Sequence, residues 1–343
     1  MTDAVSAAQP REHAVQEDRI AQNFAAFETY LSRAQDYLTH GELDAAAVHC
    51  AVASHIPVQN HAGIFWSPRA EKLLAELGSR LPFAMAPVRV KDYRRILQVG
   101  TQMAAVGGLT KMLGQWVAAD SAREHSLVLT QQHGPVPEFV SESFGGRITY
   151  LNRSPGGFMA WAARLRELAR DYDLIILHTH CEDVIPLIAF AQPGKHPPVL
   201  VLNHADHLFW YGPSISHLTI SLRDAALDLG IARRGLSPER SILMPTLSEA
   251  VFRTRSREDA KRELGIAPEA VLLVSAARKL KYKTMHGVTF ADIHAPVLEK
   301  HPEATLLVVG ADDPADWAPV RARFGDRIRS TPELPNPKIY FEA

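Results

Sequence analysis

The chain has 343 residues, of which 46% are hydrophobic and 22% are charged. This composition is ordinary for a globular protein of two or three domains, and it excludes a fibrous or wholly disordered chain. The 37 Lys and Arg residues balance 38 Asp and Glu residues, so there is no long-range attraction to nucleic acid or to an anionic membrane. We therefore expect no nucleic-acid partner, and any anion binding must be local.

The cysteines and the hydropathy pattern bear on location. Cys50 and Cys181 lie far apart and show neither CxxC nor metal-ligand spacing, which fits a reducing compartment. No run approaches the roughly 18 uninterrupted apolar residues of a membrane span, and the polar first residues lack the apolar segment of a signal peptide. The sequence predicts a cytoplasmic protein with no transmembrane segment, and a peripheral position at the inner face of the membrane stays open.

Helical patterns dominate the first part of the chain. Residues 1–15 are polar and predict a disordered tail, whereas residues 16–82 carry apolar residues at helical spacing and predict a small all-α module. Leu43–Ala53 is rich in alanine, and Ser67 followed by Pro68 predicts the start of a third helix. Part of this module faintly resembles a tetratricopeptide-type helix pair, but no repeat follows. We expect a cap on the next domain, with docking of a protein partner as the alternative.

From residue 92 onward, short apolar runs alternate with amphipathic helices, which is the pattern of a parallel sheet. Residues 92–252 carry enough strands for one complete doubly wound domain. Six strands are predicted, at Arg95–Val99, Ser126–Thr130, Arg147–Leu151, Leu174–His178, Val199–Asn203 and Leu218–Ser221. Two of the intervening helices are predicted at Leu109–Ala119 and Phe158–Asp171.

A second series of elements covers residues 253–343. Ser256 and Asp259 predict a capping box at a helix start. Three strands are predicted, at Val271–Ala276, Thr305–Val309 and Arg327–Ser330. A domain of this kind needs about three more strands to close its core, so we expect an incomplete second half. The predicted fold class is α/β, with two Rossmann-like doubly wound parallel sheets after the helical module.

In an open α/β sheet the ligand lies beyond the carboxyl ends of the strands. The loop after the first strand carries Gly107 and Gly108 before a helix, where paired glycines let backbone N–H groups approach a phosphate or a sugar hydroxyl. A tight turn explains the pair equally well. Because the loop lacks GxGxxG spacing, a nicotinamide cofactor is not supported.

Polar clusters also follow the fourth and fifth strands. His178 and His180 are two apart, a spacing that suits a metal on an extended strand, but no third ligand is evident and no metal site is predicted. The segment after the fifth strand combines hydrogen-bonding side chains with an aromatic run able to stack on a pyranose. Its predicted contacts with the acceptor or sugar are Asp206, His207 and Trp210. Each histidine alone has a structural explanation, whereas polar clusters on successive strand ends are harder to explain by packing.

Four cations within six residues follow the first strand of the second half: Arg278, Lys279, Lys281 and Lys283. At the carboxyl end of a strand they form a compact anion site suited to a diphosphate. A solvated loop is the alternative, but it would crowd like charges without compensation.

Over residues 95–341 these features resemble the retaining nucleotide-sugar glycosyltransferases of the GT-B fold, particularly the GT4-like group. The resemblance implies that Arg278 and Lys283 hold the diphosphate of a nucleotide-sugar donor and stabilise the leaving nucleoside diphosphate. It also implies that the glycine pair, Gly107 and Gly108, lies against the donor phosphates. The acceptor would be a glycan, a lipid or a small molecule.

The resemblance further implies a first-half histidine that contacts the sugar, with His180 and His204 as the candidate catalytic residues. It implies no tightly bound metal and no cofactor, since the basic pair supplies the electrostatic stabilisation. The chain departs from the family at Ala277 and Thr284, where the family commonly has glycine, and the family's paired glutamates lie downstream of Ala343. We therefore expect a donor half that is truncated.

Two alternatives fit the same residues. A nucleotide-sugar epimerase shares the fold, and the aromatic run favours a transferase over it only weakly. A non-catalytic protein that binds a glycan or a partner, derived from a glycosyltransferase, is the second alternative.

Overall fold

The computed structural model describes residues 9–82, 92–105, 107–192, 194–246, 252–285, 287–334 and 336–343, with side chains from residue 17 onward. Two compact units make up the chain, residues 1–247 and residues 248–343. The division lies close to the boundary predicted after residue 252, and it places the N-terminal helices in the same unit as the first sheet. None of the helices in the described ranges combines the length and the apolar character that a membrane crossing requires.

Three helices open unit 1: α1 (Gln9–Thr39), α2 (Leu43–Gln59) and α3 (Pro68–Ser79). Because α1 begins at Gln9, the predicted disordered tail is wrong for residues 9–15, while residues 1–8 lie outside the described residues. Helix α2 continues beyond its predicted end and contains Pro57. Helix α3 starts as predicted, since the Ser67 hydroxyl accepts a hydrogen bond from the backbone N–H of Ala70 at 3.2 Å.

The three helices share the hydrophobic core of the first sheet. The Phe27 ring of α1 is buried and lies 5.9 Å from the ring of Phe209, centroid to centroid. The buried Glu71 carboxylate of α3 accepts hydrogen bonds from the backbone N–H groups of Gly212 and Ser214, both at 2.7 Å. Burial raises the pKa of Glu71, and these hydrogen bonds oppose that shift. The helical module is thus a fixed part of unit 1.

Seven parallel strands form the sheet of unit 1, in the order β3-β2-β1-β4-β5-β6-β7. The strands are β1 (Arg95–Gly100), β2 (Glu124–Leu129), β3 (Ile148–Tyr150), β4 (Leu174–His178), β5 (Val199–Asn203), β6 (Leu218–Ser221) and β7 (Ser241–Leu243). The remaining helices of unit 1 are α4 (Gly108–Ala119), α5 (Glu138–Ser143), α6 (Phe158–Ala169), α7 (Ile185–Ala189) and α8 (Asp224–Arg234). The strand order reverses between β1 and β4, so a crevice is expected beyond their carboxyl ends.

The structure has one strand in this sheet that the sequence did not predict. Strand β7 is three residues long and pairs only with β6, through Thr219 and Ser241 at its start. Its isoleucine and leucine are exposed, so it lacks the buried apolar run by which the other six strands were predicted.

Unit 2 contains a parallel sheet in the order β10-β9-β8. Its strands are β8 (Val271–Ala276), β9 (Ala304–Val309) and β10 (Ile328–Thr331), and its helices are α9 (Arg257–Glu263), α10 (Phe290–Lys300), α11 (Ala318–Phe324) and α12 (Lys338–Glu342). The Ser256 hydroxyl accepts a hydrogen bond from the backbone N–H of Asp259 at 3.0 Å and caps α9 as predicted. A separate core centres on the buried Trp317. The α/β class, with two parallel sheets preceded by helices, is confirmed.

Candidate functional site

A buried hydrogen-bond network joins the carboxyl ends of β1, β2 and β4. Asp183 Oδ2 accepts hydrogen bonds from the hydroxyls of Thr101 at 2.6 Å and Thr130 at 2.5 Å. Its Oδ1 accepts one from the backbone N–H of Ile185 at 3.1 Å. The Thr101 oxygen accepts a further hydrogen bond from the backbone N–H of His180 at 2.8 Å. The network therefore holds His180 at the point where the strand order reverses.

Burial controls the electrostatics of Asp183. Burial raises the pKa of its carboxyl group, and the hydrogen bonds from Thr101 and Thr130 offset part of the shift. Both carboxylate oxygens are bonded inside the protein. We infer that Asp183 orients the His180 loop and does not itself contact a ligand.

A pocket of about 370 Å³ opens above this network. Its sheet side is lined by Thr101, Gln102, Gln131, His133, His180 and Glu182, which come from the loops after β1, β2 and β4. Its other side is formed by α2 and the first residue of α6. The volume lies within the range of small-molecule sites, and polar side chains converge on it from three strand ends.

The two predicted catalytic histidines, His180 and His204, lie on neighbouring strand ends. Both line a second, smaller cavity, together with Trp210. His180 is exposed and His204 is half-buried. Burial lowers the pKa of His204 to about 4, and the nearby His180 and His207 contribute to the shift. His204 is therefore uncharged at neutral pH and is able to accept or donate a hydrogen bond without carrying a charge.

Asp206 is engaged inside the protein. Its carboxylate accepts two hydrogen bonds from Arg223, at 2.5 and 2.7 Å, and this pairing lowers its pKa. Its backbone carbonyl accepts another from the buried Arg234 at 2.8 Å. This arrangement does not favour the sugar contact predicted for Asp206. The adjacent His207 ring is exposed and remains open to a ligand.

The aromatic run after β5 does not present an open face, which corrects the predicted stacking on a sugar. Phe209, Trp210 and Tyr211 are 1%, 4% and 5% exposed. The N-terminal helices cover them, and the Tyr211 hydroxyl donates a hydrogen bond to the backbone carbonyl of Cys50 at 3.2 Å. The guanidinium of Arg234 lies 5.3 Å from the ring centre of Trp210. The sequence predicted that these helices cap the next domain, but it did not predict that they cover the aromatic run.

His178 and His180 do not form a metal pair. His178 is fully buried, its Nε2 lies 2.8 Å from Gln98 Oε1, and its ring packs edge-on against Trp116. Burial lowers the pKa of His178 to about 3. Within the part of the chain that the structure describes, no group of three or more His, Cys, Asp or Glu side chains has the geometry to hold a metal ion.

Gly107 and Gly108 lie at the start of α4, in the loop after β1. No atom lies within 4 Å of the position that a Cβ would take at either residue, so the neighbouring residues do not require glycine there. The first N–H groups of a helix have no partner inside the helix. The space at the two Cβ positions is open, and the binding of a phosphate or a sugar hydroxyl by these N–H groups stays a prediction.

In unit 2, Arg278 and Lys283 flank the 3-10 turn Lys279–Tyr282 after β8. Tyr282 is buried, and its hydroxyl lies 3.0 Å from the hydroxyl of Ser275, which anchors the turn to the strand end. The side chains of Arg278 and Lys283 are exposed, and neither forms a hydrogen bond or an ion pair with any described residue. Two charges at the carboxyl edge of this sheet are thus available to an anion.

The loop after β9 contacts the turn Lys279–Tyr282, and the sequence analysis did not predict this contact. Lys279 Nζ lies 3.0 Å from Asp312 Oδ2, and the backbone N–H of Lys279 donates to Glu333 at 2.8 Å. Gly310 has φ +100°, and a Cβ there would lie 1.9 Å from the carbonyl oxygen of Ala277. Only glycine fits at this crossing. In the sequence this loop is marked by a Gly-Ala-Asp-Asp run directly after a predicted strand, which is the position of the other candidate sites.

The fold has counterparts among solved structures. HepE from Anabaena, solved in complex with UDP and glucose, is 14% identical, with 73% of this chain and 72% of that chain covered and a TM-score of 0.53. A glycosyltransferase from Rickettsia africae ESF-5 is 12% identical, with 73% and 71% covered and a TM-score of 0.52. No protein-family model and no curated protein matches the chain. At these identities the likeness establishes a GT-B-like fold.

Proposed function

We propose that this protein is a glycosyltransferase that moves a sugar from a nucleotide diphosphate sugar to a hydroxyl of a glycan, lipid or small-molecule acceptor. The observation that carries the proposal is that Arg278 and Lys283, at the carboxyl edge of the unit 2 sheet, are exposed and have no ion-pair partner among the described residues. An exposed Arg and Lys anchored on a rigid turn suit a diphosphate, because both bind phosphate oxygens through charge-assisted hydrogen bonds. A fold like that of a UDP-bound structure supports the same assignment.

In this proposal the two cations act on the leaving group. Cleavage of the bond between the sugar and the diphosphate leaves negative charge on the phosphate oxygens, which Arg278 and Lys283 stabilise as it develops. In unit 1, Gly107 and Gly108 offer backbone N–H groups at the start of α4, which suit a phosphate or a sugar hydroxyl. No metal is required for this stabilisation, because the protein supplies the positive charge.

The histidines of unit 1 serve the acceptor side of the reaction. His180 is held by Thr101 and Asp183 and faces the 370 Å³ pocket, where an acceptor hydroxyl would lie. His204 stays neutral at physiological pH, so it is able to accept a hydrogen bond from a sugar or acceptor hydroxyl.

Calorimetric titration of the full chain with a panel of nucleoside diphosphates and their sugar derivatives tests this function. We expect Arg278→Ala to weaken binding by roughly 10- to 100-fold, the effect of one lost charge-assisted hydrogen bond. The matched control is Lys300→Ala, because Lys300 is exposed at the end of α10, just before the amino end of β9. Absence of binding to every nucleotide, or equal losses for Arg278→Ala and Lys300→Ala, would contradict the proposal and favour a non-catalytic glycan- or partner-binding protein.

A further inference from the structure

Helix α2 presents a second face besides the one that packs in the core. The core face consists of Ala46, Ala47, Cys50, Ala53, Ser54 and Pro57. The second face carries Val48, Val52 and His55 at spacings of four and three residues, which places them in one stripe. This stripe lines the 370 Å³ pocket, with Val48 43% exposed and Val52 38% exposed. We call Val48, Val52 and the half-buried Phe158 of α6 the apolar wall of the pocket.

The apolar wall is fixed relative to the sheet. Asp44, in the first turn of α2, accepts a hydrogen bond from the backbone N–H of Met159 at 3.0 Å and so caps α6. A Cβ at Gly157 would lie 2.5 Å from Asp44 Oδ1, so the close approach of the two helices depends on glycine. The hydrogen bond from Tyr211 to Cys50 ties the middle of α2 to the loop after β5. These hydrogen bonds hold the apolar wall to the rest of unit 1.

The opposite side of the pocket is polar and carries no basic side chain other than histidine. Lys and Arg are absent from its lining, all of which belongs to the described residues. Its carboxyl groups are that of Glu182 and that of the buried Asp183, whose pKa is raised by burial. Glu182 lies 3.7 Å from His55 Nδ1, at the side where α2 meets the sheet. An anion in this pocket would be repelled by the Glu182 carboxylate, and the lining contains no Lys or Arg to compensate.

We propose that this pocket binds an uncharged acceptor that carries an apolar group, aromatic or branched aliphatic, beside the hydroxyl that receives the sugar. The apolar group packs on Val48, Val52 and Phe158, and the hydroxyl lies at His180. That the bound molecule is a sugar acceptor rests on the proposed function. That it is uncharged and carries an apolar group rests on the pocket alone. A helix outside the sheet thereby sets the specificity of the site, because it supplies the wall.

Saturation-transfer NMR titration of the full chain with three probes tests this inference: phenyl β-glucoside, glucose and 4-carboxyphenyl β-glucoside. We expect phenyl β-glucoside to bind most tightly, because only it combines an apolar group with zero charge. Val48→Ser and Val52→Ser should each weaken its binding about five- to tenfold, since each removes part of the apolar contact. Ile293→Ser, at an exposed position of α10, is the matched control and should leave it unchanged. Glu182→Gln should bring the affinity for the carboxyphenyl probe closer to that for the phenyl probe.

The inference is overturned if phenyl β-glucoside does not bind, if glucose or the carboxyphenyl probe binds as tightly, or if both serine variants match the parent. UDP titrated into the same samples reports on the proposed function separately. If the chain binds UDP through Arg278 but the probes do not bind as expected, the proposed function stands and the inference about the apolar wall is wrong. If the probes bind as expected but UDP does not bind, the inference about the pocket stands and the proposed function is wrong.

Discussion

Two pairs of charged residues at strand ends, one pair in each unit, differ in whether they have partners inside the fold. In unit 1, Asp183 and Asp206 are satisfied by neighbouring hydroxyl, backbone and guanidinium groups. In unit 2, Arg278 and Lys283 have no partner among the described residues. A buried polar group without partners destabilises a fold, so the hydrogen bonds of these two carboxylates indicate a structural role. An exposed, unpaired cation on an anchored turn stabilises nothing in the fold and is free to bind a ligand.

The largest effect that this comparison predicts is on stability, at Asp183. Asp183→Ala leaves the hydroxyls of Thr101 and Thr130 and the N–H of Ile185 without their acceptor in a buried place. We expect a loss of about 4 kcal/mol in the free energy of unfolding, measured in urea. Asp228→Ala, at an exposed position on α8, is the control. A loss for Asp183→Ala no larger than the control's would mean that the network does not support unit 1.

A smaller loss is expected at Glu71, which ties α3 to the loop after β5. Glu71→Gln keeps one acceptor oxygen and places an amide donor against the second backbone N–H group, so we expect a loss of about 2 kcal/mol. The control is Glu76→Gln in the same helix, whose ion pair with Arg80 is exposed and contributes little. Equal unfolding midpoints for the two variants would show that the helices are not held to the sheet by this carboxylate.

The pH dependence of stability tests the burial of His178. Its pKa is about 3 in the folded protein and about 6.5 in an unfolded chain. The unfolded state therefore binds more protons below pH 6.5, and stability falls as the pH decreases. We expect His178 to contribute about 1.5 kcal/mol of the loss between pH 6.5 and 5. His178→Asn should reduce the slope, whereas His40→Asn, at an exposed position, should not. An unchanged slope in His178→Asn would contradict its burial as a neutral ring.

The smallest effect is expected for the cations of unit 2. Arg278→Ala and Lys283→Ala should each change the free energy of unfolding by less than about 0.5 kcal/mol, because neither side chain has a partner in the fold. Thermal unfolding followed by circular dichroism measures this. A loss above about 1 kcal/mol would mean that the residue has a structural role and would weaken the comparison.

The sheets could be predicted because most of their strands carry continuous apolar runs, which in β1, β2, β4 and β9 are buried on both faces. The apolar runs around Ile175 and Leu306 mark strands at the predicted places, and parallel order follows from the helices between them. The sequence also predicted polar segments at the strand ends of one sheet, and the structure adds that His180 lies beside Thr101 there. Strand β7 could not be predicted, because an exposed edge strand needs no apolar run.

The state of the site residues could not be predicted from the sequence. Trp210 and Asp206 have the residue types of a sugar site, but their partners come from distant segments. Arg223 and Arg234 satisfy Asp206, and the N-terminal helices cover the aromatic run. Likewise, Lys279 is paired with Asp312, at 3.0 Å between Nζ and Oδ2, and the two residues belong to loops that are separate in sequence. Which charges remain free is a property of tertiary packing.

The most direct test compares UDP with uridine in the double variant Arg278→Ala, Lys283→Ala. If these cations bind the diphosphate, the parent chain should bind UDP at least tenfold more tightly than uridine in calorimetric titration, and the double variant should bind the two with nearly equal affinity. A double variant that keeps the parent's preference for UDP would show that the diphosphate is bound elsewhere, which would contradict the central claim.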